Sequence, residues 1–226
     1  ATINVMLAAA GVEGTTTIEN AAKEPEIIDL ANFLNKIGVL VRGVGTGTIR
    51  ISGSKHRGHA DHAIISDRIE AGTFMIAASA TAGNVLIQDV IPRHLESVTA
   101  KLRETGVVVE EGDDWLRVIG SGRGKAIDVK TLPYPGFPTD LQQPLVAYLS
   151  RCQGTSIITE NIFENRFRYV DELKRMGANI KVQGRVAVVE GVDEIRGAPV
   201  QSLDLRASSA LVIAGLSAQG ETKVKG

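Results

Sequence analysis

The chain has a single cysteine, few aromatic residues and almost no net charge, and each shortage closes off a class of protein. Cys152 alone cannot build an intrachain disulfide framework, and a lone thiol suits a reducing compartment. Aromatics at 4% leave too little for a base-stacking surface. Basic residues number 25 against 26 acidic ones, so no global field steers the chain to nucleic acid or to an anionic membrane. No apolar run reaches the length of a membrane span, and no charged-then-apolar leader opens the sequence. These features read as cytoplasmic. The 43% apolar content and 23% charged residues are those of a soluble globular protein, and 226 residues suffice for one large domain or two ordinary ones. Ala1 begins in an apolar helical pattern without a cap, and Gly226 stops just after Glu221-Thr-Lys-Val, the start of a strand. The expectation is a piece of a longer protein.

Proline is scarce except at one place. Pro133-Tyr-Pro-Gly-Phe-Pro138 holds three prolines and a glycine in six residues, which rules out helix interior and central strand because proline fixes φ and lacks a donor. This stiff corner carries Thr139 and Asp140 to the start of the apolar run Leu145–Leu149. Asp140 either caps that helix with its carboxylate or serves chemistry from a rigid support.

Aligning the glycines reveals a repeat. Gly14, Gly83, Gly154 and Gly220 each close an apolar helical stretch: Met6–Gly14, Met75–Gly83, Leu145–Gly154 and Leu211–Gly220. After the first three comes a β-branched run, at Thr15–Glu19, Val85–Gln88 and Thr155–Thr159. A second helix follows, with apolar faces Ile27/Leu30/Ala31/Leu34, Leu95/Val98/Leu102 and Val170/Leu173/Met176. Those helices end at Gly38, Gly106 and Gly177, and each precedes a pair of alternating strands. The unit is helix–strand–helix–strand–strand with a period of about 70 residues, too long for a solenoid and suited to compact α/β subdomains.

The repeat bears on the aspartates. Asp67 and Asp204 stand sixteen residues before Gly83 and Gly220, and Asp140 fourteen before Gly154. An acidic residue recurring at one structural position is most simply a helix cap, although the proline-stiffened approach and shorter spacing set Asp140 apart. His56, His59 and His62 recur at intervals of three, but the stretch contains Gly53 and Gly58 and lacks cysteine or paired carboxylates. It reads as a solvated linker rather than a metal site. Cys152 has no neighbouring histidine and reads as an inert core thiol.

The run Glu160–Arg168 occupies a strand-to-helix loop, the usual ligand-binding position in α/β proteins. Its arginine forks suit a carboxylate or phosphate, or else a surface ion pair with Glu164 or Asp171. Leu203-Asp-Leu-Arg206 brings a further arginine to a helix start. Two arginines and a rigid aspartate describe a site for an anionic substrate with a base nearby, without saying which anion.

Phe137-Pro-Thr-Asp140, Thr159-Glu-Asn-Ile-Phe-Glu-Asn-Arg-Phe167, Ser66-Asp-Arg-Ile-Glu-Ala-Gly72, Ala22-Lys-Glu-Pro-Glu-Ile27 and Asp204-Leu-Arg-Ala207 together resemble the UDP-N-acetylglucosamine 1-carboxyvinyltransferase family. The resemblance runs over essentially the whole chain and is weakest at Ser52–Ala63. It implies an α/β fold of repeated βαβαββ units, the inside-out α/β barrel of enolpyruvyl transferases, here incomplete. Residues 1–64 would be the last unit of one domain, and residues 65–226 two units and the start of a third in the other. The implied activity moves the enolpyruvyl group of phosphoenolpyruvate to the 3′-hydroxyl of UDP-N-acetylglucosamine and releases phosphate. It proceeds through a tetrahedral ketal, without metal or cofactor, in peptidoglycan precursor synthesis and hence cell shape and division.

By the same resemblance Asp140 contacts the sugar hydroxyl and takes its proton, and the Ile162 backbone holds the sugar nucleotide, with Glu164 in the same substrate-binding strip. Arg166 and Arg206 lie near the phosphoenolpyruvate anion, and Glu24 and Asp204 line the cleft. The family's lysine–asparagine pair and loop cysteine would precede Ala1, and a last arginine would follow Gly226. Cys152 does not match the loop cysteine, so the chain alone is expected to be inactive, its partners being the two substrates and the missing parts of its own chain. Alternatives are the shikimate-pathway enolpyruvyl transferase, a non-catalytic sugar-nucleotide binding protein, and an RNA-processing relative, the last opposed by the neutral charge balance.

Overall fold

The structure, a computed structural model, describes residues 1–56 and 58–226. The chain forms two compact units, Ala1–Ser66 with Pro133–Pro135, and Asp67–Leu132 with Gly136–Gly226.

In the first unit, helix α1 (Thr2–Ala10) leads into strand β1 (Gly14–Glu19), helix α2 (Pro25–Lys36) and strands β2 (Leu40–Arg42) and β3 (Thr48–Gly53). Pro25 presets φ at the first helical position, where its missing N–H costs nothing. Ile27, Ala31 and Leu34 bury one face of α2, and Gly38 at φ +96° ends it in the left-handed region that other residues avoid. The antiparallel sheet has the order β1-β3-β2, with Thr16 opposite Ile51 and Val41 opposite Ile51. Met6, Ala31, Ile49 and Ile51 fill the core between sheet and helices.

Part of the expected linker is anchored. His56 and His59 are exposed, but His62 Nε2 lies 3.0 Å from Asp29 Oδ1 on α2, and its ring tilts against Phe33 at 5.6 Å. The solvated-linker reading of Ser52–His62 is corrected accordingly: β3 runs on to Gly53, and the far end docks through a pair 33 residues apart in sequence. Among the described residues no three His, Cys, Asp or Glu side chains gather as a metal ion would require.

The second unit repeats the pattern. Helix α3 (Arg68–Ala80), strand β4 (Asn84–Gln88), helix α4 (Glu96–Glu104) and strands β5 (Val108–Glu111) and β6 (Trp115–Ile119) form the sheet β4-β6-β5. Next come strand β7 (Val129–Lys130), helix α5 (Gln142–Leu149), strand β8 (Thr155–Thr159), helix α6 (Val170–Arg175) and strands β9 (Asn179–Gln183) and β10 (Val186–Glu190), in the order β7-β8-β10-β9. Strand β11 (Pro199–Gln201), helix α7 (Leu205–Ser217) and strand β12 (Lys223–Lys225) begin the unit again, with β11 parallel to β12. In all three larger sheets the last strand of the unit sits between the other two. Helices α3, α5 and α7 pack on one another through buried faces that include Met75, Leu145, Val146 and Leu211.

Three details depart from the sequence reading. The first helix of each unit starts earlier than its apolar run and ends three to five residues before the marker glycine. Gly14, Gly154 and Gly220 instead turn the chain into the next strand with φ near +100°, a task that Ala82 (φ +54°) takes over from Gly83. The short strands β7 and β11 escaped detection because two or three residues cannot display an alternation.

Candidate active site

The corner Gly136–Leu141 is held before it can present a side chain. Thr131 bridges to Phe137, the Leu132 N–H donates to the Phe137 carbonyl at 3.1 Å, and the Ser97 hydroxyl donates to the Gly136 carbonyl at 3.2 Å. Thr139–Leu141 form one turn of 3₁₀ helix that runs directly into α5. Leu141 is fully buried against α3 at Gly72, where a Cβ would collide with its Cδ1, so glycine there sets how deep the corner sits.

Asp140 does not cap α5, for it makes no capping hydrogen bond. Its carboxylate is shared between two arginines from separate elements. Arg166 Nη2, in the β8–α6 loop, donates to Oδ1 at 2.6 Å, and Arg206 Nη2, in the first turn of α7, donates to Oδ2 at 2.8 Å. The three side chains are 31%, 17% and 29% exposed respectively, partly withdrawn from water and from salt screening yet open to a ligand.

The two arginines differ in how far they are committed. Arg166 also donates through Nη1 to the Thr139 hydroxyl at 2.9 Å, and its guanidinium lies 4.6 Å from the Phe163 ring centre. With the Gln143 amide oriented oxygen-first, Arg166 Nε donates to it at 3.0 Å. Arg206 makes one side-chain hydrogen bond among the described residues. A guanidinium has five N–H donors, so Arg206 retains the larger capacity for an incoming anion.

The remaining residues implied by resemblance take other places. Asp204 is exposed and caps α7, accepting from the Arg206 and Ala207 N–H groups at 2.9 and 2.8 Å, so it supports Arg206 through the backbone. Glu164 pairs with Arg185 at 3.2 Å and is 80% exposed, so its ion pair is with Arg185 rather than Arg166. The Ile162 N–H donates to Glu160 Oε1 at 2.8 Å, which leaves its carbonyl as the backbone group offered to a ligand. Glu24 belongs to the first unit, at the start of α2, with one buried oxygen lacking a hydrogen-bond partner. Cys152 is fully buried, and burial pushes its thiol up to about 11, consistent with an inert core group.

Sequence reading passed over Glu160, Thr139 and Gln143 as contributors to the site. Gln143 left a trace, being one of two adjacent glutamines that open a fully buried helix. A separate open groove of about 620 Å³ on the β4–β6–β5 sheet is lined by Trp115, Glu110 and Arg117, and there Arg117 already pairs with Glu110 and donates to Asn84 Oδ1.

Comparison with known proteins bears on this geometry. The family model described as EPSP synthase (3-phosphoshikimate 1-carboxyvinyltransferase) matches residues 1–226. A protein of Caldanaerobacter subterraneus subsp. tengcongensis named UDP-N-acetylglucosamine 1-carboxyvinyltransferase 1 is 58% identical over 99% of this chain and 54% of its own length. UDP-N-acetylglucosamine 1-carboxyvinyltransferase 2 of Bacillus subtilis is 56% identical over 100% of this chain and 53% of its own. The chain thus spans about half the length of the curated relatives it matches. In fold it is similar to the enolpyruvyl transferase NikO from Streptomyces tendae, with a TM-score of 0.84 at 24% identity over 97% of this chain and 53% of that one. EPSP synthase from Acinetobacter baumannii gives a TM-score of 0.68 at 20% identity over 98% of this chain and 54% of that one.

Proposed function

The chain belongs to the EPSP synthase (3-phosphoshikimate 1-carboxyvinyltransferase) family, and from that premise we propose that it is part of an enolpyruvyl transferase acting on UDP-N-acetylglucosamine. In this reading residues 1–64 close one domain and residues 65–226 build most of the other. The whole protein works in the cytoplasm, in peptidoglycan precursor synthesis. The names of relatives more than half identical over the full chain favour the sugar nucleotide as acceptor.

The observation that carries the reading is Asp140, fixed on a rigid turn with both oxygens held by arginines from two elements. Phosphoenolpyruvate brings a carboxylate and a phosphate, which arginine forks bind and whose developing charge they stabilise. Arg206, with donors to spare, binds the anion, and Arg166 orients Asp140 and adds positive field. The sugar 3′-hydroxyl attacks C2 of the enol phosphate and gives its proton to Asp140, while C3 takes up a proton from water to form the ketal. Loss of a C3 proton then expels phosphate and regenerates the enolpyruvyl double bond. Asp140 accepts through a lone pair not used by the arginines, and its rigid mounting supplies the orientation that general-base catalysis needs.

The test is phosphate release by the full-length protein carrying this chain, given phosphoenolpyruvate and either UDP-N-acetylglucosamine or shikimate 3-phosphate. Turnover with the sugar nucleotide alone is expected. Turnover with the shikimate ester alone would reassign the acceptor, and none with either would support a non-catalytic binding protein.

A further inference from the structure

We propose that Glu160 is a positioning residue of this site, acting through the Thr139 hydroxyl to hold Arg166 on Asp140. The inference rests on the enolpyruvyl transfer reading only for its kinetic consequence. Its geometric content stands on the structure alone.

Glu160 follows the last residue of β8 and is 1% exposed. A carboxylate so deeply buried is costly unless its lone pairs are satisfied, and four donors surround it. Oε1 accepts from the Thr131 hydroxyl at 2.8 Å and from the Ile162 and Phe163 N–H groups at 2.8 and 3.0 Å. Oε2 accepts from the Thr139 hydroxyl at 2.9 Å. One carboxylate therefore ties together β7's end, the loop carrying Ile162 and Phe163, and the turn carrying Asp140.

The Thr139 bond sets a direction. A hydroxyl has one proton, and Thr139 spends it on Glu160, so only lone pairs face Arg166 Nη1 at 2.9 Å. The chain Glu160–Thr139–Arg166–Asp140 then has every donor and acceptor assigned. An amide at position 160 breaks that assignment. Glutamine must present an NH2 either to Thr139, releasing the hydroxyl proton towards other partners, or to the three donors at Oε1, where it clashes in polarity.

The test compares Glu160→Gln, Thr139→Val and Thr139→Ser in the full-length protein, reading the Arg166 guanidinium signals by ¹⁵N NMR together with kcat and KM. Thr139→Val keeps the side-chain shape and leaves Glu160 its other three bonds, so it decides the matter should Glu160→Gln fail to fold. Both variants are expected to shift the Arg166 signals and, since a misplacement of about 1 Å can cost on the order of a hundred-fold, to lower kcat by up to that factor with KM little changed. Thr139→Ser should return the signals to their original positions, and Glu160→Gln combined with Thr139→Val should be no worse than either of those two alone. Unmoved Arg166 signals in folded Glu160→Gln or Thr139→Val protein would overturn the proposal. Shifted signals in a protein with no enolpyruvyl transfer at all would support the positioning role while removing the proposed reaction.

Discussion

Asp67 and Asp140 both stand at the entry of the first helix in two copies of one repeat, yet only Asp67 caps it. Its backbone is extended (φ −75°, ψ 106°), and its carboxylate accepts from the Ile69 and Glu70 N–H groups at 2.7 and 3.2 Å. Asp204 does the same for α7. At the third copy Pro138 takes the cap position, and Asp140 lies inside the 3₁₀ turn that follows. The cap position lies sixteen residues before the glycine in every case, Asp67 before Gly83, Pro138 before Gly154 and Asp204 before Gly220, so the shorter spacing of Asp140 is its displacement past the cap. Displacing an aspartate by two residues from the cap position frees its carboxylate for other partners. The repeat thus supplies a helix end as support, and one copy gives up its cap to make a site.

The difference can be attacked most strongly at Asp140 itself. Asp140→Asn keeps size and one acceptor but loses the proton acceptor, so turnover of the full-length protein should fall on the order of a hundred- to ten-thousand-fold. Its melting temperature should change little. Near-normal turnover with a loss of thermal stability would mean that Asp140 acts only as a structural residue.

The opposite end of α5 offers a contrast in pH. Burial raises the Tyr148 hydroxyl, hydrogen-bonded to Thr105 at 3.0 Å, to about 12, and the Cys152 thiol to about 11. The unfolded groups ionise first, from their ordinary values of 10.0 and 9.0, so the folded state binds more protons in between. Stability is therefore full below pH 9.0 and is lost as pH rises through about 11 for the thiol. At about 1.4 kcal/mol per pKa unit the loss between pH 9.0 and about 11 is roughly 3 kcal/mol. Denaturant midpoints across that window should show it, and Cys152→Ala should remove the lower part of the decline. A flat profile in the wild-type protein would show that the thiol is not withdrawn from water.

Smaller effects are expected at the two true caps. Asp67→Ala should cost about 1 kcal/mol and lower the melting temperature by a few degrees, with turnover unchanged. Asp204→Ala should cost about the same and also weaken anion binding, because the Asp204 cap supports the backbone of Arg206. Asp67→Asn, which preserves an acceptor, should fall within about 0.5 kcal/mol of wild type. Equal kinetic effects at positions 67 and 204 would erase the distinction between a plain cap and one beside the site.

By itself the sequence determined the repeat, the strand pairs and the helices with one apolar face, because these depend on local periodicity and on glycines with restricted alternatives. It also marked the corner at Pro133–Pro138, since proline restricts the backbone whatever surrounds it. Tertiary structure alone decided which aspartate was free. Arg166 lies 26 residues and Arg206 66 residues from Asp140, and no local pattern reports a contact across such a separation. The same holds for Glu160, whose four donors come from three stretches of chain, and for His62, which docks on α2. Periodicity is written in neighbouring residues, but hydrogen-bond partners across the fold become neighbours only on packing: α5 against α7 brings Asp140 to Arg206, β8 beside β7 brings Glu160 to Thr131, and the chain after β3 folds His62 back onto α2.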